Sequence, residues 1–558
     1  MWPGARPLVL FLVTAAGCRC PDDRQGVSRG EQREEARRLA KASTALERRL
    51  GGLELVRRVL LWYSLTGREP GRMRDLLPGM VDQVTFGDLF ALRRLENSPE
   101  TDRRGRRRLR RLRNHLAGLV LERRAGALLD RWLPVLNETV RIPGGERPVR
   151  GGDLLAMVTG EPRWDRRQEI QARRIPLQRR LDALLASWHR RLRREAKRLD
   201  VSCFDLAEER EERDTRDLLL AAETENRRQG DRFRRALHKL IAPAAPAGRR
   251  ATLADMRFVL QGGTHQPSLN ERLLIPALER ALRGLGLELR DGKGRPMPVS
   301  PTGMVTTALA VDPPDDERIA FHPASGLQDH IRLFEAGGLA ACLAATRERS
   351  WVLRRLGPRL GARTMGHLLG LLWLEPGWWT VYRELKGDGA PSEEQVGDLL
   401  RSAVFAGLVR LRLGAVIAPI LRAVLRGGPA RTYEGVCREE TGGSTSRLFG
   451  RLVRPRLGLE LSPDEELGYL DELSPLEQPF DLRAYALAHQ LWRSLRRRHG
   501  PRWFEDRDLG ERLVTALCGG GATGSPEELA ERAGLKRLDL TAPWRSLGES
   551  LDRLERTR

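Results

Sequence analysis

The stretch FHPASGLQDHIRLFEAGGLAACLAATRERSWVLRRLGPRLGARTMGHLLGLLWLEPGWW, Phe321 to Trp379, decides how the rest of the chain is read. Its centre is Phe334-Glu335-Ala336-Gly337-Gly338, set in a largely apolar run of helical character. Two adjacent glycines are unexpected there, because each costs a helix about 1 kcal/mol relative to Ala. Glu335 is the one charged residue from Leu333 to Ala345. A second helical run, GARTMGHLLGLLWL, begins at Gly361.

The five central residues have the frame of a metal-binding helix. Histidines at i and i+4 fall on one helix face and grip one zinc, and a Glu after the first His serves as general base. A third ligand comes from a following helix, and one position on the metal stays open. In this frame Phe334 stands where the first His belongs and Gly338 where the second belongs. Glu335 keeps the place of the base.

The similarity extends well beyond the motif. ATLADMRFVLQG (251–262), LLIPALERALRGLGLEL (273–289), PMPVSPTGMVTTALAVDPPDDERIAFHPASGLQDH (296–330) and GARTMGHLLGLLWLEPGWW (361–379) follow one another in the order and spacing of a known catalytic region. Later pieces fit too: FDLRAYALAHQLWRSLRRRHGPRWFEDRDLGERLVTAL (480–517) and GSPEELAERAG (524–534). On these residues the chain resembles the thimet oligopeptidase/oligoendopeptidase family of zinc metallopeptidases, over roughly 50–558 and most strongly after 250. The resemblance implies a mostly helical, two-lobed fold around a deep channel, with a small β-sheet next to the motif helix. It also implies a third ligand in a Thr-Glu-Ala sequence, where this chain has Thr364-Met365-Gly366. All three ligand positions are then replaced, by Phe334, Gly338 and Met365. Zinc, expected for the family, is expected to be absent here, and Glu335 to be a vestigial base. Phe334 and Met365 are expected to fill the metal's space by packing, with Met the adaptable partner. The family places a Tyr and a His late in the chain beside the substrate. Tyr485 and His489 stand one turn apart there, without a recognisable Gly-rich tyrosine loop, and read as cleft or packing residues.

A relocated metal site stays open as an alternative. His330, which also reads as a possible cleft residue, precedes Phe334 by one turn, and His322 and His367 are near in sequence. His330, Glu335 and either His322 or His367 would form it, although His367, two residues after Met365, is expected to point away.

Hydrophobic residues make up 40% of the 558, enough for a buried core, and the net charge is +23. Only six of the 98 basic residues are Lys, a skew that reflects coding bias more than a nucleic-acid partner. RRGRRRLRRLR (103–113) has no interleaved aromatics for base stacking and reads as the solvated face of an amphipathic helix. No glycine-rich stretch has the spacing of a nucleotide-binding loop.

The first residues, MWPGARPLVLFLVTAAGCRC, read as a signal peptide (1–17) too short to span a membrane as a mature helix. Thr14-Ala15-Ala16-Gly17-Cys18 resembles a bacterial lipobox, with Cys18 lipidated and Arg19 favouring the outer membrane facing the periplasm. Residues 18–45 read as a lipidated tether, 46–245 as an N-terminal helical region, 246–390 as the degenerate metallopeptidase-like region and 391–558 as a C-terminal helical region. Breaks fall at Glu69-Pro70-Gly71, Ile142-Pro143-Gly144-Gly145 and Ala242–Pro246, and only 290–321 is extended and β-branched. Cysteine spacing identifies no disulfide, although an exported protein permits one.

The expectation is an inactive metallopeptidase-like lipoprotein of the cell envelope. It binds the membrane through its anchor and meets a peptide or protein, not nucleic acid. An active oligopeptidase with a shifted metal, and a basic scaffold for anionic polymers, are the alternatives.

Overall fold

A computed structural model describes residues 29–66, 86–99, 101–125, 128–145, 147–198, 209–301, 306–322, 326–356, 360–426, 445–468, 470, 482–519 and 525–556. The signal and lipobox readings, Cys18 included, and the Glu69–Gly71 break lie outside these. The helices are α1 (Arg29–Leu65), α2 (Phe86–Glu96), α3 (Arg103–Ala125), α4 (Leu128–Asn137), α5 (Leu154–Gly160), α6 (Trp164–Arg198), α7 (Glu209–Ile241), α8 (Leu253–Leu260) and α9 (Leu274–Gly284). After the sheet come α10 (Leu327–Ala344), α11 (Trp351–Arg355), α12 (Leu360–Gly370), α13 (Pro376–Lys386), α14 (Glu393–Arg426), α15 (Thr445–Leu457), α16 (Leu482–His499), α17 (Arg507–Cys518), α18 (Pro526–Arg532) and α19 (Ala542–Arg556). Helix α1 already covers the second half of the stretch read as a tether. No helix among the described residues is long and apolar enough to cross a membrane.

The breaks read from Pro and Gly fall between elements. Ile142–Gly145 turns between the short antiparallel strands β1 (Thr139–Val140) and β2 (Val149–Arg150). Ala242–Ala244 is a single 3-10 turn after α7, and α8 then starts from a capping box of Thr252 and Asp255. The extended segment forms a sheet of β3 (Val299–Pro301), β4 (Thr307–Asp312) and β5 (Asp316–Phe321), in the order β3-β5-β4. Strand β5 pairs parallel with β3 and antiparallel with β4. Alternation splits its faces: Ala308, Ala310 and Ile319 join the main core, whereas Leu309, Val311 and Ala320 pack on Leu61 and Trp62 of α1.

A satellite core joins α1, α2, α3 and Val352 of α11 through Leu46, Leu50, Leu92, Leu112 and Leu116. The basic run lies on α3 around this core. Its Arg104 meets Glu348 at 2.8 Å, Arg110 meets Glu96 at 2.6 Å, and Arg108 pairs with Glu47. Its charges are therefore spent largely on neighbouring helices, as an amphipathic face requires.

Helix α10 is the element the main core is built around. Its first turn has no side chain of its own at the N-cap, Gly326. The neighbouring Gln261 supplies the missing acceptors: its carbonyl takes the N–H of Leu327 and its Oε1 that of Gln328, both at 2.8 Å. A Cβ on Gly326 would lie 2.7 Å from the Gln261 amide carbon, so only glycine admits this cap.

Candidate functional site

The two central glycines are packing residues. A Cβ on Gly337 would come within 2.6 Å of Leu278 on α9, and one on Gly338 within 2.7 Å of the Met365 carbonyl and 2.9 Å of Gly366 Cα. From the other side, a Cβ on Gly366 would meet the Glu335 carbonyl at 2.5 Å, and one on Gly370 the Glu335 Cγ at 2.9 Å. Thus α10 and α12 cross backbone against backbone, and close contact offsets the helix cost of the glycines. The sequence offered no role for Gly338; its role is this crossing.

Phe334 and Met365 lie on the two helices of that crossing and both are fully buried. The Phe334 ring makes edge contacts with Trp373 and Trp378, at 5.4 and 5.3 Å between centroids. Trp373 and Trp378 thus pack around Phe334, and Met365 belongs to the same core. His330 shares this aromatic side: its ring stands 4.9 Å from Trp373, and its Nδ1 lies 3.1 Å from the Gly326 carbonyl. Burial pulls its pKa down to about 4. His330 is therefore not brought to Glu335. His322 sits at the end of β5, where its field acts on Asp153 and Asp329.

Glu335 faces a polar centre assembled from separate helices. Its Oε1 accepts from His367 Nδ1 at 2.8 Å and from Arg410 Nη1 at 2.5 Å. The expectation that His367 points away is corrected here. Gly366 lets α12 lie directly on α10, and His367, the next residue, meets the carboxylate. An ionised carboxylate only accepts, so the contact with ionised Glu335 is made by the tautomer of His367 that carries its proton on Nδ1. The side chain of His367 is 4% exposed, that of Glu335 18% and that of Arg410 36%, so the centre opens to solvent along Arg410.

Tyr485 and His489 join this centre as its inner wall. Tyr485 lies edge-on to His367 at 5.3 Å and to His489 at 4.5 Å, and the Arg410 guanidinium sits 5.1 Å from its ring centre. Burial pushes the Tyr485 phenol up, with Arg410 pulling the other way. Burial holds His489 well below its usual range, and the charges of His367, Arg410 and Arg493 add to this. Its Nδ1 is 2.6 Å from Ser546 Oγ, which donates in turn to the Pro543 carbonyl at 3.2 Å. Arg410 was not singled out from the sequence. The signal was an arginine inside the apolar run SAVFAGLVRLRLGAVIA (402–418).

What this centre holds is a carboxylate bridged to an imidazole and a guanidinium. Among the described residues there is no group of three or more His, Cys, Asp or Glu placed to hold a metal ion. A disulfide joins the end of α10 to the end of α17: Cys342 and Cys518, both buried, have Cα atoms 5.7 Å apart, within the usual span.

The fold is that of oligoendopeptidase F-type peptidases. An oligoendopeptidase F from Bacillus anthracis str. Ames superposes with a TM-score of 0.52 at 13% identity, covering 89% of this chain and 88% of its own. A second oligoendopeptidase F gives 0.54 at 13%, covering 88% and 85%. PZ peptidase A, solved with an inhibitor, gives 0.54 at 12%, covering 89% of each chain. At such identities the likeness establishes architecture alone. No family model matches the sequence, and no curated protein matches it.

Proposed function

We propose that this protein is a metallopeptidase-like binding protein without peptidase activity, taking a peptide or protein segment at the opening beside Arg410. The observation that carries this reading is the α10–α12 crossing. Where a second histidine would stand, Gly338 abuts the Met365 carbonyl and leaves no space for a side chain. Zinc does not fit these positions: 334 offers a phenyl ring, 338 no side chain, and 365 a thioether. Glu335, free to polarise a water in a working site, is instead engaged by His367 and Arg410.

We further propose export and lipid anchoring at Cys18. The apolar start and Thr14–Cys18 support it, and so does the buried Cys342–Cys518 bond, since structural disulfides persist in oxidising compartments.

Metal analysis and peptide digestion test the reading together. Purified full-length protein is expected to contain substoichiometric zinc and to leave a peptide library uncut while retaining some of its members. One tightly held zinc per chain, or chelator-sensitive cleavage lost in Glu335→Gln, overturns it in favour of an active hydrolase with a shifted metal. Mass spectrometry of the mature N-terminus tests the anchor, and an unmodified Cys18 refutes it.

A further inference from the structure

A second charged site lies away from this centre, where α9 meets the start of α17. The chain there is packed backbone on backbone. A Cβ on Gly284 would stand 2.5 Å from the Phe504 carbonyl, and one on Gly510 would be 2.9 Å from Leu287 Cγ. Beside this floor opens a pocket of about 370 Å³, lined by Arg280, Arg283, Gly284, Glu505 and Arg507. That is at the small end of ligand pockets, which run from about 300 to 1,000 Å³.

Three arginines line one cavity with a single carboxylate among them. Glu505 is shared: it lies 2.7 Å from Arg502 outside the pocket and only 3.5 Å from Arg280. Arg283 is 3.9 Å from Glu279 on its own helix. Arg507 makes no ion pair among the described residues. A cation at the last turn of α9 eases that helix's C-terminal dipole, which accounts for Arg283, and Arg280 reaches Glu505. It does not account for Arg507, which belongs to another element and begins the 12-residue α17. The N-terminal end of α17 adds positive field on the same side. Its N-cap, Asp506, is occupied by His499 at 3.1 Å and Arg512 at 3.4 Å.

We propose that this pocket binds a phosphate group, carried by a small phosphomonoester or by a lipid headgroup. A compact dianion relieves the mutual repulsion of three arginines, and guanidinium forks match phosphate oxygens in pairs. The walls carry no aromatic or large apolar side chain, which sets the site against an apolar ligand. The site is independent of the peptidase-like reading and stands or falls apart from it.

The test uses full-length protein. Calorimetric titration with inorganic phosphate and with glycerol phosphate, at constant ionic strength, is expected to give one saturable site. The Arg280→Gln/Arg283→Gln/Arg507→Gln variant is expected to lose at least tenfold in affinity, and the single Arg507→Gln variant to lose part of it. A variant with three exposed arginines replaced elsewhere, Arg103, Arg106 and Arg545, is expected to bind as the unaltered protein does. Sedimentation with phosphatidic acid vesicles, against phosphatidylcholine vesicles, separates the sources: pocket-dependent retention assigns a headgroup, and titration without retention assigns a free phosphomonoester. Absence of saturable binding, or equal losses in the pocket variants and the control variant, overturns the proposal.

Discussion

Glu335 on α10 and Glu375 at the N-cap of α13 have opposite surroundings. Glu375, between α12 and α13, is fully buried. It accepts from the indole nitrogens of Trp492 and Trp503, at 2.5 and 3.1 Å, with Arg496 at 3.3 Å. Burial nevertheless outweighs these partners and raises its pKa. Glu335 has an imidazole and a guanidinium and keeps an edge in water. The first carboxylate fastens the aromatic core, which buries Trp373, Trp378, Trp379, Trp492 and Trp503. The second lies at the solvent-facing edge of the centre, beside Arg410. A carboxyl sealed among tryptophans is a structural device, whereas one beside a half-exposed arginine is where the proposed recognition would have to act.

The largest effect is expected at the sealed end. Glu375→Ala leaves two indole N–H groups and Arg496 without their acceptor and should cost about 4 kcal/mol, read from denaturant unfolding. Near-equal effects of this change and Glu335→Ala would erase the contrast.

A third carboxyl sharpens it. Glu317 on β5 is fully buried, has no hydrogen-bond partner for either oxygen among the described residues, and is pushed up to about 8 by burial first and then by Asp316, Asp291, Asp315 and Asp312. The folded protein thus holds a proton that the unfolded chain releases near pH 4.5. This contribution is full below pH 4.5 and is lost as pH rises towards 8. We expect unfolding free energy to fall by about 2–4 kcal/mol across that window, and Glu317→Gln to remove most of the slope. A slope unchanged in the variant would assign the effect elsewhere.

The smallest effect is expected at the open end. Glu335→Ala should cost about 1–2 kcal/mol, because water reaches Arg410 and partly replaces the lost carboxylate. Retention of peptides should change more than stability does, and a large stability loss without any change in retention would make Glu335 another structural carboxylate.

Much of the fold was legible in the chain. Three- and four-residue periodicity marked the helices, Pro and Gly placed the breaks at 142–145 and 242–246, and β-branched residues marked the sheet. The order of weak similarities from 251 to 534 pointed to the peptidase architecture. Within the site, the sequence singled out Glu335, Tyr485 and His489, and the structure sets Tyr485 beside His367, the partner of Glu335, with His489 behind it. Arg410 was not, because it comes from a helix with no motif and its partner is distant in sequence. His367 was misplaced because face-counting on one helix ignores how closely a glycine lets the next helix lie. Cys342 and Cys518 are 176 residues apart, and spacing carries no signal for such a pair.

That covalent bond has a further consequence for how the molecule meets proteases. A single cut anywhere from 343 to 517 would give two polypeptides but still one particle, held together until a reductant arrives. Damage in that part of the chain would therefore pass unnoticed on size alone and surface only after the thiols are freed.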